Sequence, residues 1–151
     1  MKIQIKKLTP YKSQYKITRD DASVELIELD TKTFFTHDIC HYVVEKNLKF
    51  RKGFWGMLAG GYRFDELFGK ENKLTEELRF IEQIVGPVQS VYMGHFKKEQ
   101  LPMLLSHLDI DMRDEMITAC LSEIKLIEED WARVEDGEIL ELEFWLGKQD
   151  A

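Results

Sequence analysis

The residues best able to do chemistry lie together. His37-Asp38-Ile39-Cys40-His41-Tyr42-Val43-Val44-Glu45 holds two of the chain's four histidines, along with three acids or thiols. Histidines at i and i+4 share one helix face, roughly 6 Å apart, and so offer two imidazoles to one ion. Helices of the H-E-x-x-H type use that spacing to hold zinc, with the intervening Glu as general base. Asp38 stands where that Glu would be. It is one methylene shorter, so a base positioned for glutamate falls short of metal-bound water. The metalloprotease motif is therefore not met, and Asp38 is a catalytic candidate only as a proton acceptor or as an orienter of an imidazole. Glu45 extends the same face, but at about 1.5 Å rise per residue it lies about 12 Å along the axis from His37. His41 is the better centre, reaching His37 or Glu45 at i+4, or Asp38 at i+3. His37, His41 and Glu45 thus predict a divalent-metal site, for an ion such as zinc, that would support hydrolysis. A further ligand must come from elsewhere, and His95, Glu66, Glu71, Glu76, Glu77 and His107 are unranked candidates.

Other readings of the segment compete with this one. Thr36 can cap a helix from His37 to about Leu48, which puts His37 and Asp38 in its first turn. Free amides and the helix dipole favour anions there and disfavour cations. That reading makes the Thr36–Asp38 helix start a site for a phosphate, a carboxylate or another small ligand, with Arg51 and Lys52 as partners. A third reading is structural, an amphipathic helix with His41, Tyr42 and Glu45 in a hydrogen-bonded layer. Cys40 beside His41 does not make a thiol nucleophile, because adjacent helix residues diverge by about 100°.

Gly53-Phe54-Trp55-Gly56-Met57-Leu58-Ala59-Gly60-Gly61 lacks the order of a dinucleotide fingerprint and the Lys-Ser/Thr of a P-loop. Its glycines admit a close approach and its aromatic residues supply apolar area. Trp55, Gly56 and Gly60 are then candidates for the wall of an organic cofactor or ligand site. The Gly53–Gly61 segment could equally be the seam of a homodimer or interaction module, or simply core.

The elements that must position these residues follow from period. Ile3 and Ile5, then Tyr15 and Ile17, alternate with polar residues and predict two half-buried strands. Val24 to Leu29 predicts a third, in which Val24/Leu26 and Ile27/Leu29 compete for the inner face. Leu140, Leu142, Phe144 and Leu146 predict a C-terminal strand, opposite in facing to Glu141, Glu143 and Trp145. Short helices are expected from about Gly53 to Ala59 and Phe64 to Phe68, stopped by Gly60-Gly61 and Gly69. Leu74, Leu78, Ile81, Ile84 and Val85 mark another helix, which Gly86-Pro87 stops or kinks. A short segment covers Leu101 to Leu108. The longest helix is capped by Asp111, striped by Met116, Cys120, Ile124, Ile127, Trp131 and Val134, and closed by Gly137. The fold class is α+β: an antiparallel sheet of about four strands, three N-terminal and one C-terminal, with one face covered by helices. The terminal strands can pair, setting Lys2, Lys6 and Lys16 against Glu141 and Glu143.

At 151 residues, 44% hydrophobic and 32% charged, the chain reads as a single domain, 1–151. Lys plus Arg number 21 against 28 Asp plus Glu, a net charge of −7 that argues against nucleic acid as a partner. The start has no uninterrupted apolar run and no uncharged stretch is long enough to span a bilayer, so neither a signal peptide nor a membrane is expected. Two cysteines without C-x-x-C spacing suit a reducing, cytoplasmic compartment.

The His37-Asp38-x-x-His41-Tyr42-x-Val44-Glu45 helix and the Gly53-Phe54-Trp55-Gly56-x-Leu58-Ala59-Gly60 turn resemble a family of small uncharacterised bacterial proteins. The resemblance covers about residues 1 to 61 and is specific from 34 to 61. It implies a bacterial, single-domain, cytosolic protein and carries no reaction.

Overall fold

Strict alternation of apolar and polar side chains makes strands β1 (Lys2–Thr9), β2 (Lys12–Thr18), β3 (Val24–Asp30) and β4 (Ile139–Glu143) in a computed structural model that describes residues 1–68, 75–145 and 147. All pairings are antiparallel in the order β3-β2-β1-β4, so the first strand and the last lie side by side, Ile3 opposite Leu142 and Ile5 opposite Leu140. Ile3, Ile5, Tyr15 and Ile17 point inward and are fully buried. In β3, Leu29 is buried and Ile27 packs on the core, whereas Val24 and Leu26 are exposed. The expected cross-strand charge pairing holds for Lys2 opposite Glu143. Glu141 instead faces Gln4, whose amide donates to it at 3.2 Å.

Helices α1 (Thr31–Leu48), α2 (Phe54–Ala59), α3 (Phe64–Phe68), α4 (Glu76–Tyr92), α5 (Leu101–Leu104) and α6 (Asp114–Arg133) cover the inner face, as the α+β reading requires. Helix α1 is central: it packs against α2, α4 and α6, and every residue from 38 to 45 is buried. It starts well before Thr36. Asp30 ends β3 and caps α1 directly, accepting from the Lys32 amide at 3.2 Å and from the Thr33 hydroxyl at 2.7 Å. Thr36 is therefore inside the helix, and its hydroxyl donates to Glu128 on α6 at 2.7 Å. This corrects the reading of an anion or small-ligand site at Thr36–Asp38, because amides inside a helix already bond its own carbonyls.

Helix α4 is not stopped at Gly86-Pro87, one of the two outcomes expected there, but runs on to Tyr92. An interior proline costs roughly 3 kcal/mol. Val85 and Val88, both fully buried, flank Pro87 and offset that cost. Thr75 caps the helix through the Leu78 amide at 3.1 Å. Helix α6 begins at Asp114 without a side-chain cap, so Asp111 is not its cap, and Gly137 takes its left-handed conformation in the turn to β4 rather than at the helix end. The readings that invoke Gly69, Glu71, Leu74 and Leu146 lie outside the described residues. Among the described residues, no helix is long and apolar enough to cross a membrane.

The glycine-aromatic segment is buried from Gly53 to Leu58 and exposed from Ala59 to Gly61. Trp55 and Leu58 are fully buried, Phe54 and Met57 are 8% exposed, and Arg19 on the sheet side donates to the carbonyls of Leu58 at 2.6 Å and Tyr62 at 2.7 Å. The apolar side chains on which a homodimer or interaction surface at Gly53–Gly61 would draw, Phe54, Trp55, Met57 and Leu58, are covered by the chain's own core.

Candidate metal centre

Helix α1 sets Asp38, His41 and Glu45 at spacings of three and four, so they share a face, and that face is covered by α2 and α4. All three are buried. Glu45 has no exposed surface, and both of its oxygens are engaged. Oε1 accepts from the Gly56 amide at 3.1 Å, and Oε2 accepts from His41 Nδ1 at 2.9 Å. Its carboxylate explains a glycine in α2's approach, because a Cβ on Gly53 would fall inside it. The unusual composition of residues 53–56 is thus the seat of Glu45.

The other ring nitrogen of His41 faces α4. Nε2 donates to Glu82 Oε1 at 2.9 Å, and Glu82 Oε2 lies 3.6 Å from His37 Nε2. His37 turns its Nδ1 outward to Gln89, donating to the amide oxygen at 2.7 Å. The two rings stand edge to face with centroids 4.7 Å apart. One ligand atom from each of His37, His41 and Glu82 falls within 4.8 Å of the others. The two histidines predicted from sequence are together. Glu45, the expected third member, is not among them: it lies behind His41 on the opposite nitrogen, because a residue a further turn along the axis cannot also reach the side where His37 points.

Glu82 was absent from the candidates for the distant ligand. Of those named, Glu66, Glu76, Glu77, His95 and His107 are exposed and outside the cluster. A signal was available: Glu82 and Gln89 are seven residues apart, and Glu82 follows the buried Leu78 by four, so both lie on the apolar side of α4. A charged side chain within a buried stripe implies a partner.

Charge at the site follows from these bonds. Burial opposes a charged ring at His41, yet the bonds to Glu45 and Glu82 outweigh it and push the pKa up to about 9. The Glu82 bond also raises His37, against a smaller opposing effect of burial. Burial alone would raise Glu82, but the two rings hold it far below the usual carboxylate range. Asp38 is pushed up to about 7 by burial, although its Oδ2 accepts from the Tyr15 hydroxyl at 2.8 Å. Trp55 Nε1 donates to the Asp38 carbonyl at 2.8 Å and locks α2 under α1. Cys40 is fully buried, and burial raises its thiol to about 12, which leaves it protonated and inert.

A cavity of about 210 Å³ opens on the cluster. Phe34, Phe54, Leu67, Phe68 and Leu78 line it together with His37, Asp38, His41 and Glu82. Trp55 is not in its wall, while Gly56 and Gly60 line a separate cavity of about 260 Å³ with Met1, Asp20 and Arg51. No family model, no curated protein and no solved structure matches the chain.

Proposed function

We propose that this chain binds a divalent transition metal, zinc in the first place, through His37 Nε2, His41 Nε2 and Glu82, and uses it for hydrolysis. The observation that carries the reading is the orientation of the rings: both Nδ1 atoms are bonded to acceptors, Glu45 and Gln89, which leaves both Nε2 atoms turned to one carboxylate. Histidine ligands commonly donate their far N–H to a carboxylate or carbonyl in this way, which fixes the tautomer and raises ligand basicity. A metal ion takes the place of the His41 Nε2 proton, and the Glu45 bond stays intact.

Two imidazoles and one carboxylate form a donor set of hydrolytic zinc sites, with a position left for water or substrate. The ion's chemistry there is to acidify a bound water and polarise a carbonyl. Asp38 lines the same cavity, and its carboxylate is held by Tyr15, so it is the group assigned to take the proton of the attacking water.

The test is elemental analysis of protein purified without nickel or chelator. Wild type is expected to carry close to one equivalent of metal, lost in His41→Ala and in Glu82→Gln. Glu82 has 39% side-chain exposure, so its variant should fold and circular dichroism should be unchanged. Less than about a tenth of an equivalent in wild type, unchanged after adding zinc, overturns the reading. Asp38→Asn should keep the metal and lose hydrolysis of small activated esters.

A further inference from the structure

The walls of the cavity over the cluster say what the site would accept. Its polar groups are His37, Asp38, His41 and Glu82, and the remaining lining residues, Phe34, Phe54, Leu67, Phe68 and Leu78, are all apolar. The phenylalanines are already arranged edge to face, Phe54 against Phe68 at 5.3 Å and Phe34 against Phe68 at 5.7 Å between centroids. Aromatic pairs favour this arrangement, and a further ring extends it. Among the described residues, neither Lys nor Arg lines the cavity, while Asp38 and Glu82 do. Among the described residues, a phosphate monoester's two negative charges would meet Asp38 and Glu82 with no Lys or Arg side chain beside them. A neutral or singly charged oxygen group needs only the metal.

Size narrows the class further. A dry apolar cavity of about 150 Å³ holds a benzene molecule. About 210 Å³ therefore takes one six-membered ring and a few more heavy atoms.

We infer that the substrate is a small single-ring aromatic compound whose carboxylate, ester or amide oxygen meets the metal while its ring lies among Phe34, Phe54 and Phe68. This rests on the metal reading above and adds the substrate class to it. Burying the ring should contribute at least about tenfold in affinity over the same head group on a methyl.

The experiment uses the full chain loaded with cobalt(II), whose visible bands report ligands at a four- or five-coordinate site. It is titrated with benzohydroxamate, acetohydroxamate and phenyl phosphate. The expected result is a spectral change at concentrations at least about tenfold lower for benzohydroxamate than for acetohydroxamate, with phenyl phosphate weaker than either. Filling the recess with Phe68→Trp should leave the cobalt bands in place and erase the preference for the ring. Equal affinities for the two hydroxamates, or tightest binding by phenyl phosphate, overturn the inference and leave the metal reading standing. Absence of cobalt bands overturns both, and is told apart because no spectrum develops before any ligand is added.

Discussion

Helix α6 buries Ile117, Cys120, Ile124, Ile127 and Trp131 at alternating spacings of three and four and turns most of its other residues to solvent. Helix α1, against which it packs, buries every residue from 38 to 45, acids and histidine included. The first helix supplies area, stacking Trp131 on Phe35 at 4.6 Å between ring centroids. The second supplies partners as well, since each buried polar side chain on it meets a specific group on another element. The difference teaches that burial on α6 is tolerant of exchange among apolar residues, while burial on α1 depends on matched pairs.

The largest test of that contrast sets Glu45→Ala beside Ile124→Ala. Removing Glu45 leaves His41 Nδ1 and the Gly56 amide without an acceptor in the interior, and should cost about 3–5 kcal/mol of unfolding free energy in urea. Ile124→Ala should cost about 2–5 kcal/mol through its cavity. The two diverge in metal: Glu45→Ala should weaken zinc affinity by about 10- to 100-fold, and Ile124→Ala should leave it alone. Equal zinc affinity in both variants would break the comparison.

A second test is pH. In the metal-free protein the raised pKa of His41, about 9, lies above its unfolded value near 6.5. A raised folded pKa gives stability that is complete below about 6.5 and lost as pH rises through about 9. Asp38, raised to about 7, acts in the same direction at lower pH. The melting temperature of metal-free protein should fall from pH 6.5 to 9 in calorimetry, and saturating zinc should flatten the slope. A melting temperature that rises over this range would show that His41 does not hold its charge.

A smaller effect comes from Gly53→Ala. The added methyl must displace the Glu45 carboxylate, and overpacking of this kind costs about 1–3 kcal/mol. Zinc affinity should fall with stability, whereas at Gly61, where a Cβ would meet nothing, only the positive φ is at issue and zinc binding should be untouched. The smallest change is on the outer side of α6, where Lys125 sits 3.9 Å from Glu129. Lys125→Ala should move stability by about 0.3–0.5 kcal/mol, within the range of exposed helix pairs. A loss of several kcal/mol there would mean that α6 has a covered outer side after all.

Much of the scaffold was legible because it depends on period. Ile3, Ile5, Tyr15 and Ile17 alternate, and α6 repeats at three and four, and local sequence contains both signals. The boundaries were less so. Thr36 and Asp30 are both good caps, and which one starts α1 depends on how β3 delivers the chain to the helix. Gly86-Pro87 reads as a stop or a kink, and that the helix continues is seen only with Val85 and Val88 buried. Among the site residues, the pairing of His37 with His41 follows from helix geometry alone. Gly53 and Gly56 stood out by composition, but the reason for each is visible only in the packing, with the Glu45 carboxylate against Gly53 and the Arg51 backbone against Gly56.

The amino-acid sequence by itself determined the α+β class, the antiparallel strands and the common face of the two histidines, because each of these rests on side chains within a few residues of one another. Tertiary structure alone decided that Glu82 reaches both His37 and His41, and that Asp38 lies under Tyr15 and Trp55. Those contacts join residues 17 to 45 positions apart in the chain. No local periodicity reports which face of α4 meets which face of α1, since that is fixed by how the whole core packs.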